Sequence, residues 1–127
     1  MNKENNKPII IVAEDDDINF LLIEVILKDY NLEILHTIDG EQTVKICKEN
    51  ENIDLILMDI RLPEMNGYEA AIKIKEFRKE LPMIAQSAYA LDDEIKQYGE
   101  VFEEYITKPI SKNELLKKIN KYVKLNR

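Results

Sequence analysis

One cysteine, Cys47, is all this chain has, which excludes an internal disulfide and suits a reducing cytosol. Helical spacing from Thr43 and Val44 marks it as a packed thiol rather than a nucleophile. Three glycines are too few and too scattered for a GxxxxGK or GxGxxG loop, so nucleotide folds of those kinds are excluded. The single histidine, His36, has no histidine or cysteine close in sequence and reads as a solvent-edge or packed residue, not a ligand or phosphocarrier. No apolar run approaches the ~20 residues that span a bilayer, and the N-terminus lacks a signal-peptide core, so no membrane contact is expected. Positive charge is outweighed: 18 Lys and Arg against 25 Asp and Glu leave a net charge of -7. That balance argues against a nucleic-acid surface, because phosphates would be repelled.

What is present fits one domain over residues 1–127, with the polar opening MNKENNK, residues 1–7, expected to fray. The stretch IDLILMDIRLPEMNG, Ile53 to Gly67, is the centre of the pattern. Leu55 to Met58 is apolar without alternation, as in a strand buried on both faces of a parallel sheet. It ends on Asp59, and the turn formers Pro63, Asn66 and Gly67 follow. A second such run, Ile9 to Ala13, ends in Glu14-Asp15-Asp16-Asp17 where a helix begins. Ile18, Leu21, Leu22 and Val25 then recur at i, i+3, i+4, i+7 and are expected to face the core. Asp17 is the expected N-cap, but one cap explains one acid and not four.

Glu33 to Thr37 reads as a third strand, followed by Asp39 as cap and a helix through Val44 and Cys47. Tyr68 to Lys79 reads as a helix with Ala70, Ala71, Ile74 and Phe77 inward. Met83 to Ser87 is a strand ending on a hydroxyl, and a short helix spans Asp92 to Tyr98. Glu104 to Thr107 is a strand ending in Lys108-Pro109, and Ser111 to Glu114 has the capping-box pattern ahead of Leu115, Leu116, Ile119 and Val123. Five strands alternating with five helices predict an α/β, doubly wound parallel sheet in the flavodoxin-like order 2-1-3-4-5, with helices on both faces. The switch point between the first and third strands sets Glu14 and Asp15 beside Asp59.

Glu14, Asp15, Asp59, Ser87 and Lys108 thus each end a strand at one sheet edge. Three carboxylates that close repel by several kcal/mol at an effective dielectric near ~20. Oxygen-only ligands suit a hard divalent cation such as Mg2+, which takes one or two carboxylates plus a phosphate. With Lys108 as a fixed positive charge, the site is ready for a phosphoryl group, and Asp59 is the natural nucleophile.

The segments IIIVAEDDDIN, DLILMDIRLPEMNGYEA, MIAQSAYA and EYITKPI resemble the receiver (CheY-like) domain of two-component response regulators, and AEDDDIN and AQSAYA resemble the receivers of hybrid sensor histidine kinases. The resemblance covers Pro8 to Val123. It implies that Asp59 is the phosphoacceptor, and that Asp15 and Asp59 hold Mg2+ with the backbone carbonyl of Arg61, Glu14 acting through metal-bound water. Ser87 would be the switch hydroxyl, Tyr105 the switch aromatic and Lys108 the phosphate-binding lysine, with a cis peptide at Lys108-Pro109. The implied partner is a sensor histidine kinase or histidine phosphotransfer protein in the cytoplasm, with a weak homodimer as a further option. The implied switching surface is the fourth helix, fifth strand and fifth helix, including Leu91, Tyr98 and Tyr105. Two departures stand out: Glu14 where aspartate is commoner, and Val101-Phe102 where Ala-Gly is common. Arg61 and Tyr89, each two past a site residue, are expected to gate water and lengthen the life of an aspartyl phosphate.

Two other readings remain at this level. Asp15-Asp16-Asp17 after an apolar strand fits a haloacid-dehalogenase-type phosphatase, although Asn19 stands where threonine or valine is usual and Asp59 would be left without a role. The other is a receiver-like interaction module that is never phosphorylated. A calcium loop is rejected because Phe20 and Ile26 stand where glycine and glutamate are required.

Overall fold

Along Ile9–Ala13, side chains point alternately to two sides, and both sides are apolar because both are covered by helices. The computed structural model describes residues 7–88 and 91–127. Its strands are β1 (Ile9–Ala13), β2 (Glu33–Thr37), β3 (Leu55–Asp59), β4 (Met83–Ser87) and β5 (Glu104–Thr107). They form one parallel sheet in the order β2-β1-β3-β4-β5, as the alternation of elements predicts.

The helices are α1 (Asp17–Leu27), α2 (Gly40–Glu49), α3 (Gly67–Phe77), α4 (Leu91–Tyr98) and α5 (Lys112–Asn120), with a 3₁₀ turn over Gly99–Val101. One core layer joins Ile9, Ile11, Ile56, Met58 and Met83 to Val44, Cys47, Ala70, Ala71 and Ile74 of α2 and α3. The other joins Ile10, Val12, Leu55, Leu57 and Ile84 to Ile23, Ile26, Leu27, Leu115 and Ile119 of α1 and α5.

Capping sets where the helices start. Asp39 accepts from the Gln42 amide at 2.7 Å, and Asn66 and Glu69 form a reciprocal capping box at α3. The cap of α1 is Asp16 and not Asp17: the Asp16 carboxylate takes the amides of Ile18 and Asn19. Ser111 accepts from the Glu114 amide, while the Glu114 carboxylate lies 3.4 Å from Lys118.

The expected inward stripe of α1 is overturned. Ile18, Leu21, Leu22 and Val25 are 80%, 56%, 39% and 52% exposed, and Ile23, Ile26 and Leu27 are buried instead. DINFLLIEVIL is apolar around most of its circumference, so its periodicity admits two stripes, and packing against β1 and α5 selects one. Phe77, expected inward on α3, lies at the last helical residue and is 39% exposed, with Lys48 Nζ 5.7 Å from its ring centroid.

Candidate functional site

Every strand of a parallel sheet delivers its last residues to the same edge, and here that edge collects the charged side chains that the apolar core rejects. Glu14 follows β1, with its amide fixed to the Thr37 carbonyl at 2.9 Å and its side chain fully buried. Its Oε2 accepts from the Asp16 amide at 3.1 Å, and its Oε1 accepts from Asn19 Nδ2 and lies 3.4 Å from Lys108 Nζ. Asp59 closes β3 and is 4% exposed; its Oδ1 accepts from the Arg61 amide at 2.9 Å and its Oδ2 from Lys108 Nζ at 2.8 Å.

Carboxylate oxygens of Glu14, Asp15 and Asp59 lie within 4.8 Å of one another. Burial and the nearby Asp59 charge push the Glu14 pKa above the ordinary carboxylate value. Burial works against the Lys108 ammonium, but the Asp59 hydrogen bond and the charges of Asp59 and Glu14 outweigh it and raise its pKa. Three acids against one lysine leave the pocket short of positive charge. Its donors are all oxygens, and exposed Asp15 leaves it open to water, so the residues fit a hard divalent cation.

Ser87 closes β4 and is buried, its carbonyl accepting the Lys108 amide at 2.8 Å. Lys108 follows β5 and precedes a cis Lys108-Pro109 peptide. Tyr105 pairs with Ala85 across β4 and β5. Its ring is already buried, edge-on to Phe102, with its hydroxyl donating to the Gly99 carbonyl at 2.9 Å. Val101-Phe102 therefore brings a ring into the core, and Phe102 is the wall against which Tyr105 packs.

Arg61 is an exposed side chain just past Asp59. Tyr89 lies outside the described residues, as does the side chain of Leu91. Tyr98 of α4 packs on Tyr68 of α3, with ring centroids 4.7 Å apart. His36 is a packed residue: Nε2 donates to the Glu14 carbonyl at 2.7 Å and the ring stacks on Phe20 at 3.6 Å.

Two residues at the pocket were not singled out as site residues from the sequence. Asn19 joins Glu14 to Gln86, and Gln86 is fully buried in β4 beside Ser87. The available signal was an amide inside an otherwise apolar strand, MIAQS. Gly67 has a role through absence of bulk: a Cβ there would meet the Asp59 carbonyl oxygen at 2.2 Å, so only glycine lets α3 start this close to the pocket.

Comparison with known proteins bears on this geometry. A family model described as the response regulator receiver domain matches residues 10–120. The chain is 30% identical over 111 residues to the autoinducer 1 sensor kinase/phosphatase LuxN of Vibrio campbellii, covering 87% of this chain and 13% of that protein. It is 33% identical over 119 residues to the polar-differentiation response regulator DivK of Brucella ovis, covering 90% of this chain and 94% of that one. Among solved structures, the receiver domain of a sensor histidine kinase from Pseudomonas aeruginosa, with magnesium coordinated in its active-site cleft, aligns with a TM-score of 0.81 at 32% identity. That alignment covers 91% of this chain and 97% of the other. The receiver domain of Saccharomyces cerevisiae Ssk1, crystallised with the histidine phosphotransfer protein Ypd1, aligns at 0.80 and 27% identity, covering 92% and 89%.

Proposed function

The chain belongs to the response regulator receiver domain family of two-component signalling, and on that premise we propose how its own residues carry a phosphoryl group. Asp59 is the phosphoacceptor. A carboxylate oxygen of Asp59 attacks phosphorus of a phosphohistidine, the phosphorus–nitrogen bond breaks, and the imidazole leaves with the electron pair. The observation that carries this reading is the meeting of Glu14, Asp15 and Asp59 with Lys108 at the sheet edge.

Asp15, Asp59 and the Arg61 backbone carbonyl would hold magnesium, with Glu14 acting through a water. When bound, the ion neutralises the carboxylates and the phosphoryl oxygens. Lys108 takes a phosphoryl oxygen as a charge-assisted donor once it leaves Asp59 Oδ2. Ser87 takes another, and its shift is passed across the β4–β5 pairing to Tyr105 and, through the Tyr105 hydroxyl, to Gly99 at the end of α4. The switched surface is then α4, β5 and α5. Arg61 overhangs the approach of water to the phosphoryl group and slows its loss.

The phosphodonor is a sensor histidine kinase or a histidine phosphotransfer protein, and the reaction is cytoplasmic. Supporting this are the LuxN and DivK likenesses and the Ypd1 complex of Ssk1. Among the described residues no helix is long and apolar enough to cross a membrane. The exposed face of α1, with Ile18, Leu21, Leu22 and Val25, leads away from the acid pocket and is the apolar surface on which the donor rests.

Beryllofluoride, a phosphoryl mimic, tests this reading in solution by NMR. With Mg2+ it should shift the amides around Asp59, Ser87 and Tyr105 in the parent and none of them in Asp59→Asn. Equal shifts in both proteins would overturn it.

A further inference from the structure

Asn19 carries one amide nitrogen with two hydrogens, and both are used. One goes to Glu14 Oε1 and the other to Gln86 Oε1 at 3.0 Å. An ionised carboxylate accepts and never donates, so the Asn19 nitrogen must face Glu14. The same nitrogen then fixes the sense of Gln86, whose oxygen faces Asn19. The three side chains form one directed chain from the fourth strand, through the first turn of α1, to the acid that follows β1.

Gln86 is costly where it sits. It is fully buried in a strand whose neighbours Met83, Ile84 and Ala85 are apolar, and its Nε2 has no partner. Packing alone would favour an apolar side chain of the same volume. What the amide contributes is its oxygen, which pins Asn19. Glu14 needs such a pin. Its carboxylate stands on one more rotatable bond than an aspartate has, and Lys108 is close enough, at 3.4 Å, to draw it aside.

We infer that Asn19 and Gln86 are positioning residues that hold the Glu14 carboxylate in place for a divalent cation, and that they tie it to the end of β4. Gln86 precedes Ser87, and its carbonyl accepts from the Ile60 amide at 3.2 Å. A displacement of β4 at Ser87 therefore reaches Glu14 through two hydrogen bonds. The inference rests on the acid pocket being the magnesium site.

Titration calorimetry with Mg2+ alone tests it, paired with melting of the metal-free protein. Asn19→Leu should weaken Mg2+ binding about tenfold, as loss of a partner behind a metal site typically does. Gln86→Met, which keeps the volume and removes the oxygen, should weaken it about fivefold, the worth of one hydrogen bond. The metal-free melting temperature of Gln86→Met should not fall, because an unpartnered buried donor goes with the oxygen. A purely structural glutamine would instead lower it. The double variant should be no weaker than Asn19→Leu alone, since Gln86 acts only through Asn19.

Unchanged Mg2+ affinity in both single variants, or additive losses in the double, would overturn the inference. Should Gln86→Met fail to fold, Asn19→Leu at its half-buried helical position decides alone. Asp15→Asn separates the two levels. If it weakens Mg2+ binding while the amide variants do not, the pocket reading stands and the positioning role falls. If it has no effect, the pocket reading falls and takes this inference with it.

Discussion

Lys108 Nζ sits 2.8 Å from Asp59 Oδ2, so the carboxylate expected to take the phosphoryl group is held by the lysine expected to bind a phosphoryl oxygen. On the proposed function the lysine would compete with a cation for Asp59 before transfer and stabilise charge during it. Lys108→Ala should leave Mg2+ affinity unchanged or raised. It should also slow phosphorylation by a small phosphodonor at least ~100-fold, the scale of losing one well-aimed electrostatic group. Parallel calorimetry and phosphorylation kinetics check both halves, and a loss of Mg2+ affinity would contradict the competition.

The raised pKa of Glu14 makes the metal-free fold pH-dependent. Ionised Glu14 costs stability at every pH above its folded pKa. As pH falls from there toward the ordinary value of 4.5, the folded form takes up a proton that the unfolded chain does not, and that cost fades. Glu14→Gln should therefore raise the metal-free melting temperature at neutral pH, with the gain shrinking as pH falls through that window. Lys108 works in the other direction of pH: its contribution is full below 10.5 and is lost as pH rises through its raised folded pKa. Melting curves from pH 4 to 11 on both proteins check this, and a lower melting temperature for Glu14→Gln at pH 7 would contradict it.

The two apolar faces of α1 should separate stability from donor recognition. Ile23→Ala, on the buried face, should cost ~2–5 kcal/mol. Leu21→Ala, on the exposed face, should stay within ~0.5 kcal/mol. Leu21→Ala combined with Val25→Ala should still slow transfer from a phosphorylated histidine phosphotransfer protein, with phosphorylation by a small donor unchanged. Denaturant melts and transfer kinetics provide the check.

Gly67→Ala should damage the site from a distance. The new Cβ would lie 2.2 Å from the Asp59 carbonyl oxygen and 2.9 Å from Ile60 Cα, so α3 or the end of β3 must move. Overpacking of this kind costs about 1–3 kcal/mol. It should also slow phosphorylation of Asp59 more than the same loss of stability placed elsewhere, for instance by Ile119→Val in α5.

What a residue signals locally decides how legible its place in the fold is. The sheet order and strand bounds were legible because IIIVA and LILMD have no competing pattern, and the strand ends that meet at the pocket follow from topology. The face of α1 was not legible, because Ile18, Leu21, Leu22 and Val25 match the helical period as well as the buried set does. Packing against Ile10 and Val12 of β1 and against Leu115 and Ile119, far along the chain, breaks the tie. Asp16 caps α1 one residue before Asp17, in a run of acids where any could serve. The Asn19–Gln86 bond joins residues 67 apart, and no local pattern announces it. Tyr105 is buried edge-on to Phe102, a ring where the resemblance implies a small pair, and nothing local to Tyr105 signals that packing.

Every role proposed for this pocket depends on Asp59 taking the phosphoryl group. Incubation with a small phosphodonor and Mg2+, followed by intact-mass measurement and peptide mapping, tests it most directly. One added phosphoryl group is expected, on Asp59, that requires Mg2+ and is absent from Asp59→Asn. A phosphoryl group on Asp15 or Asp16, or one of equal yield in Asp59→Asn, would contradict it.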